Sequence, residues 1–222
     1  MSIPGTSLGA RLRGHGAIGL LAVAVVLLGN SLFVPLSALL VLAWARLTQT
    51  PLAALGLARA RAPWRALLLG AVLGVTTKLM FKAVVMPTLG APAVNAAYGH
   101  LLGNTAALPG MVVLILVGAG FGEEVVFRGF LIERLRGWLP AGRAGTVASV
   151  LLSALVFGAA HLYDQGVPGF EQALLFGAFL GWVYVREGTL WLPMVTHVAF
   201  DLTALYLIYG GLETQVSHWL LG

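Results

Sequence analysis

The chain has 222 residues, of which 59% are hydrophobic and only 9% charged, and its mean hydropathy is +0.93. A soluble globular domain usually carries roughly 25% charged residues, so this composition argues against one. The formal net charge is +5, and most of the basic residues lie in short loops between apolar segments, which fits orientation in a membrane better than nucleic-acid binding. Because there is no Cys, disulfides, thiolate metal sites and cysteine nucleophiles are excluded.

The apolar segments predict an all-α fold, a polytopic transmembrane helical bundle. About 20 apolar residues are needed for a helix to cross a bilayer core of about 30 Å. Two short runs, 17–29 and 32–45, predict either a tight helical hairpin or one broken helix. Longer spans are predicted at 66–86, 108–133, 144–162, 170–185 and 189–209. We therefore expect six or seven spans in a single integral membrane domain covering residues 1–222.

Basic residues alternate between the predicted loops. Lys and Arg occur in 46–65, in 134–143 and at Arg186, whereas the loops 87–107 and 163–169 contain neither. The positive-inside rule therefore places the basic loops inside the cell, and we expect a prokaryotic cytoplasmic membrane. The first apolar run resembles a signal peptide, but no small-x-small cleavage site is evident, so it is predicted to be a retained membrane segment.

Two further patterns concern the packing of these spans. The pairs Gly70–Gly74, Gly118–Gly122 and Gly177–Gly181 have the G-x-x-x-G spacing, which predicts close contact between helices. Lys78 and Lys82 share one helix face, where they would snorkel, line a watery cavity or pair with a carboxylate.

Glu123-Glu124-x-x-x-Arg128 lies within an otherwise apolar run. Ionisable residues at membrane depth cost at least about 2.5–3.5 kcal/mol on insertion scales, so they indicate function by default. Glu124 and Arg128 are spaced i, i+4 with the acid first, the favourable order for an ion pair. Glu123 is rotated by about 100° from Glu124, so one carboxylate can be neutralised while the other stays free.

Two more polar insertions follow, Phe157-x-x-x-His161 and His197-x-x-x-Asp201. Taken singly, each has a plainer interpretation: His161 as an interhelical hydrogen-bond partner, and His197 with Asp201 as supporting structure. Together with Glu123 they predict a shared polar catalytic cavity inside the bundle, because polar helix faces in lipid need one another.

Two imidazoles and two or more carboxylates are suited to activating water. In a metal version, His161, His197, Asp201 and Glu123 hold zinc or another divalent ion, which lowers the pKa of bound water to about 7. In a metal-free version, Glu123 deprotonates water directly and a His stabilises the oxyanion. Both versions hydrolyse an amide, and both stay open at this point.

The ordered trio Glu-Glu-x-x-x-Arg, Phe-x-x-x-His and His-x-x-x-Asn/Asp resembles the CPBP family, the type II CAAX prenyl endopeptidases and the Abi bacteriocin-processing or immunity proteins. The resemblance spans about residues 64–210 and implies an intramembrane endopeptidase. It implies that Glu123 activates the water, that His161 and His197 complete the catalytic centre, and that Glu124 and Arg128 support it.

One position departs from the family members that carry Asn. An ionised Asp201 cannot donate a hydrogen bond to an oxyanion as Asn can. It can instead ligate a metal, orient His197 or remain protonated through burial. This departure favours zinc or another divalent metal over the metal-free glutamate mechanism, which stays open as the alternative.

Other functions compete with the peptidase. The sequence contains no H-E-x-x-H and no G-x-G-D motif, which narrows an intramembrane protease to the CPBP type. A proton or ion pathway would use the same residue types, and a non-catalytic immunity or scaffold member would keep the fold without activity. The expected partners are membrane lipid and a peptide or protein substrate, with its lipidation left open, and no nucleic acid.

Overall fold

The computed structural model describes residues 7–60 and 62–220, and over these residues the chain is 82% helical with no strand. The predicted all-α fold is confirmed. The helices are α1 Leu8–Arg13, α2 Ala17–Leu32, α3 Val34–Leu47, α4 Pro63–Thr88, α5 Thr105–Trp138, α6 Arg143–Glu187, α7 Trp191–Tyr209 and α8 Glu213–Ser217, with 3-10 turns at Leu52–Leu55 and Ala96–Leu101.

Helices α4, α5, α6 and α7 are long and apolar enough to cross a membrane. They account for all five of the longer predicted spans: 144–162 and 170–185 both lie in α6, and the span predicted at 189–209 begins at Trp191. Helices α2 and α3 are apolar but shorter. The count of six or seven spans and the single domain over 1–222 stay predictions, and the domain's outermost residues lie beyond the described ranges.

The first two apolar runs form a helical hairpin. Between α2 and α3 the backbone of Phe33 is extended, with φ −166° and ψ 112°, and Pro35 lies in the first turn of α3. The absent side chain of Gly29 lets α2 approach Leu40 of α3, since a Cβ there would lie 2.8 Å from its side chain. Of the two arrangements predicted from the sequence, the tight hairpin is the one that forms.

Helix α6 folds back on itself at Gly166, whose φ of 65° and ψ of −163° interrupt the helical winding, with Pro168 just beyond. The two arms, 143–165 and 167–187, are antiparallel: Gly181 packs on Val150, and Gly158 packs on Leu174. The arms correspond to the two spans predicted from the sequence.

Helix α5 lies at the centre of the molecule. Its Val125, Phe127 and Phe130 are at most 1% exposed, and Gly122 packs against Val34 of α3. The helix is wound with wide π-helical turns over Leu114–Leu131, a winding that in other proteins is frequent at functional sites. This placement brings the Glu-Glu pair into the middle of the bundle.

The three G-x-x-x-G pairs all mark close packing, as predicted. Gly70 and Gly74 of α4 face Thr196 of α7, Gly118 and Gly122 face α3, and Gly177 and Gly181 join the two arms of α6. The contact between α4 and α7 is the most extensive of these, and both helices line the cavity described below.

Candidate active site

A cavity of about 1130 Å³ lies between α4, α5, α6 and α7 and is bordered by the connection that contains Tyr98. Four of the predicted site residues line it: Glu123, His161, His197 and Asp201. The other two, Glu124 and Arg128, are buried behind its wall, with 0% and 1% of their surfaces exposed. The structure thus brings all three sequence motifs together around one interior space.

The Glu124–Arg128 ion pair forms as the spacing predicts. Arg128 Nη1 donates to Glu124 Oε1 over 2.8 Å. The guanidinium also lies 4.4 Å from the centre of the Phe157 ring and donates to the carbonyl of Gly177. Because Phe157 and Gly177 belong to opposite arms of α6, Arg128 joins α5 to both arms.

His197 is oriented by the same carboxylate. Its Nδ1 lies 2.8 Å from Glu124 Oε1, a hydrogen-bond distance. An ionised carboxylate can only accept, so Nδ1 carries a proton; Nε2 then accepts a hydrogen bond in the neutral ring and donates one when the ring is protonated. Nε2 lies 3.7 Å from Glu123 Oε2 and 3.6 Å from Asp201 Oδ2, which is too long for direct hydrogen bonds but within reach of a bridging water.

His161 is fixed in the same way by the backbone. Its Nδ1 lies 2.9 Å from the carbonyl oxygen of Phe157, four residues earlier in α6. Since a carbonyl only accepts, Nδ1 is the donor and Nε2 is again the free nitrogen of the neutral ring. Its ring also packs edge-on against Phe157, with 4.6 Å between the ring centres. Phe157 is therefore a packing residue that aligns His161 and Arg128.

Several polar residues of the cavity were missed by sequence reasoning. Tyr98 accepts a hydrogen bond from Gln165 Nε2 over 3.2 Å. Burial, aided by the negative charges of Asp201, Glu123 and Asp164, raises the pKa of Tyr98 from 10.0 to about 12. Its hydroxyl therefore stays protonated at neutral pH and can donate into the cavity. No pattern around Tyr98 in its short connecting segment indicated this position.

The two lysines of α4 also line the cavity. Lys82 forms a 2.6 Å ion pair with Glu213 of α8, and Lys78 donates to Gln172 Oε1 over 3.1 Å. Lining the cavity and pairing with a carboxylate were two of the three predicted roles. Gln172 could have been noticed in the sequence as an amide within an apolar run, and Glu213 as an acid just beyond the last span.

The sequence predicts that a divalent metal ion could be the cofactor. In the described part of the chain, no group of three or more His, Asp or Glu side chains is arranged to hold a metal ion. The assignment of His161, His197, Asp201 and Glu123 to a divalent ion remains a prediction.

Residues 105–203 match the family model described as type II CAAX prenyl endopeptidase, Rce1-like. The matched segment runs from α5 to α7 and contains all six predicted site residues. No curated protein and no solved structure matches the chain.

Proposed function

Because the chain belongs to the CPBP family of CAAX-type intramembrane proteases, we propose that it is an endopeptidase that hydrolyses a peptide bond in a membrane-associated substrate with water activated by Glu123. The observation that supports this most directly is the unequal use of two adjacent acids. Glu124 is bound to Arg128 and His197, whereas Glu123 lines the cavity next to His197 Nε2.

Glu123 is the general base of the proposed reaction. Within the described residues its carboxylate makes no hydrogen bond, and its Oε2 lies 3.7 Å from His197 Nε2. A water between these two groups is in reach of both. The carboxylate takes a proton from this water, and the water oxygen forms a bond to the carbonyl carbon of the peptide.

The two histidines bind the other reacting groups. His161 Nε2 accepts a hydrogen bond from the second hydrogen of the water. This bond orients a lone pair of the water oxygen toward the substrate carbonyl. His197, protonated between Glu123 and Asp201, donates from Nε2 to the oxyanion that forms on the carbonyl. The C–N bond then breaks, and Glu123 returns its proton to the leaving amine nitrogen.

Asp201 is a positioning residue in this scheme. Its Oδ2 lies 3.6 Å from His197 Nε2, four residues along the same helix. A negative charge there balances an imidazolium at His197, while Glu124 holds the ring from the other side. This role does not need Asp201 to donate a hydrogen bond, so it fits the departure from the Asn found in other family members.

The metal-assisted version uses the same residues. A divalent ion would lower the pKa of a bound water and polarise the carbonyl. The protein has no group of three ligands in place for it among the described residues, so we propose the glutamate mechanism as the first to test, in a prokaryotic cytoplasmic membrane.

The test compares wild type with Glu123→Gln in detergent, on a library of quenched fluorescent peptides. The matched control is Glu133→Gln, which changes an acid of the same helix that lies outside the cavity. We expect cleavage by wild type and the control and none by Glu123→Gln, with all three eluting alike in gel filtration. Equal cleavage by wild type and Glu123→Gln would contradict the role of Glu123.

A chelator arm separates the two mechanisms. Cleavage that survives chelation, in protein free of metal by elemental analysis, supports the glutamate mechanism. Cleavage that chelation abolishes and zinc restores supports the metal version. If no variant cleaves any peptide, proton flux into liposomes tests the ion-pathway alternative with the same proteins.

A further inference from the structure

Lys78 and Lys82 form the α4 wall of the cavity, and each is only 8% exposed. Buried lysines within a membrane span are costly and rare, so each needs a reason to be there. The two lie four residues apart on one helix face, yet their surroundings differ.

The charge of Lys82 is fully accounted for by the fold. Its Nζ lies 2.6 Å from Glu213 Oε1, and the carboxylate of Glu213 also accepts the backbone N–H of Asn95. This buried pair ties α8 and the connection before α5 to α4. It is a structural contact.

Lys78 has no such partner. Its Nζ donates to the neutral amide of Gln172 over 3.1 Å and lies 4.8 Å from the centre of the Phe200 ring. Among residues 7–60 and 62–220, no carboxylate oxygen lies within 4.0 Å of it. An ammonium has three donors, and an aromatic ring face attracts a cation, so a protonated Lys78 has donors to spare beyond its bond to Gln172.

Aromatic rings connect Lys78 to the catalytic histidine. Phe200, beneath its ammonium, stacks on Phe176 with 3.9 Å between ring centres. Phe176 in turn meets the His197 ring edge-on at 5.3 Å. Lys78 therefore lies in the same cavity as His197, across a layer of packed rings, where it can bind one part of a substrate while another part reacts.

We propose that Lys78 is the binding site for a carboxylate of the substrate, supplied either by a free peptide C-terminus or by an Asp or Glu side chain. A carboxylate completes the donors of a buried ammonium with a charge-assisted hydrogen bond, which a neutral group does not do. This inference rests on the proposed peptidase function, and it adds the position at which the substrate is anchored.

The test measures binding apart from cleavage, so it uses protein that carries Glu123→Gln. The probes are fluorescent apolar peptides of one sequence in three forms: a free C-terminus, a C-terminal amide, and an amide with one internal Glu. Fluorescence anisotropy in detergent gives each affinity. We expect at least one carboxylate form to bind about tenfold to hundredfold more tightly than the plain amide.

Two variants remove the site in different ways. Lys78→Met deletes the charge. Gln172→Glu places a carboxylate of the protein where the Gln172 amide now lies, with its Oε1 3.1 Å from Lys78 Nζ. We expect both to lose the preference for the carboxylate peptides while binding the amide as before. Lys78→Arg, which keeps a cation, should retain the preference. Gln172→Glu keeps the lysine, so the test stands even where Lys78→Met fails to fold.

Each result decides the proposal. Loss of the preference in both variants supports it, and the better of the two carboxylate forms identifies the source. A carboxylate preference that survives Lys78→Met overturns the proposal, and so does the absence of any preference in the protein that carries only Glu123→Gln. Lys78-dependent binding of phosphatidylglycerol, with no binding of any peptide, also overturns it. If the preference depends on Lys78 but the protein with Glu123 intact cleaves nothing, the anion site stands and the peptidase proposal fails.

Discussion

Glu123 and Glu124 are neighbours in the chain with different surroundings. Glu124 Oε1 accepts from both Arg128 and His197, each over 2.8 Å, at a site with no exposure to solvent. Glu123 faces the cavity. A buried charge that loses its partner is strongly destabilising, so Glu124 stabilises the fold. The proposed reaction assigns the catalytic role to Glu123.

We therefore expect Glu124→Ala to lower the free energy of unfolding by about 3–5 kcal/mol, because Arg128 is left buried without a counter-charge. Thermal unfolding in detergent, followed by circular dichroism, measures this. Glu123→Ala is the control and should unfold near the wild-type temperature while losing activity. Equal unfolding temperatures for Glu124→Ala and wild type would show that the ion pair does not stabilise the fold.

Tyr98 gives a pH-dependent prediction. Its pKa is raised from 10.0 to about 12 in the folded protein. Between these values the unfolded chain loses a proton that the folded chain keeps, so the free energy of unfolding falls as pH rises through this window. Two pKa units correspond to about 2–3 kcal/mol.

We expect Tyr98→Phe to remove this alkaline fall and to unfold with wild-type dependence on pH below about 9. Chemical unfolding at a series of pH values from 8 to 12 measures it. An identical alkaline slope in wild type and Tyr98→Phe would contradict the raised pKa. Tyr163→Phe is a suitable control, because Tyr163 is 96% exposed.

Local spacing could predict which residues share a helix face, but not which faces meet. The i, i+4 rule was sufficient for the Glu124–Arg128 pair and for placing His197 and Asp201 on one face. It could not predict that Glu124 holds His197, since the two are 73 residues apart. The pair of Lys82 and Glu213 is separated by 131 residues and depends on where α8 packs.

At the scale of helices, the contact between α4 and α7 holds His197 and Asp201 against the cavity. A Cβ on Gly74 would lie 2.6 Å from the Cβ of Ala199 and 2.8 Å from the backbone nitrogen of Phe200. These distances are shorter than van der Waals contact, so a side chain at Gly74 must push the helices apart.

Gly74→Ala should therefore lower the free energy of unfolding by about 1–3 kcal/mol, a typical cost of overpacking, and reduce peptide cleavage by displacing α7. The matched control is Gly110→Ala on α5, where an added Cβ meets nothing within 4 Å. That variant should be neutral or slightly more stable, because Ala favours helix more than Gly. Thermal unfolding and a cleavage assay of both variants decide between these expectations.

The sequence was more informative about the turn of α6 than about α2 and α3. Gly166 and Pro168 lie between two runs that are each apolar, so the sequence predicts a break there, and the backbone reverses at that place. The break between α2 and α3 has weaker signals, since Asn30 and Gly29 both lie within α2. The hairpin there depends on packing of Gly29 against Leu40, which local sequence does not show.

At the scale of the whole molecule, the cavity is bordered by the two connections that lack Lys and Arg. Its lining includes Asn95 and Tyr98 from one connection and Tyr163 and Pro168 from the other. From the positive-inside rule we expect these connections outside the cell, which predicts that the polar site lies nearer the outer face of the membrane.

Single cysteines can test this orientation, because the chain has none of its own. In intact cells, a membrane-impermeant maleimide should label Tyr163→Cys directly and Ala141→Cys only after permeabilisation. Both positions are exposed in the structure. Labelling in the opposite order would invert the orientation and place the cavity near the cytoplasm.

The ion pair within α5 also has a consequence for how the protein is made. His197 lies 73 residues after Glu124 in the chain. At roughly 5–20 residues per second, the ribosome needs about 4–15 s to synthesise that stretch. Through that interval α5 enters the bilayer without its later partners, but Arg128, four residues away, already neutralises Glu124. A protein with the same final cluster but its arginine on α7 would insert α5 with two uncompensated acids. The position of Arg128 on the same helix as Glu124 therefore favours insertion of α5 into the bilayer, before the ion pair takes its place in the folded site.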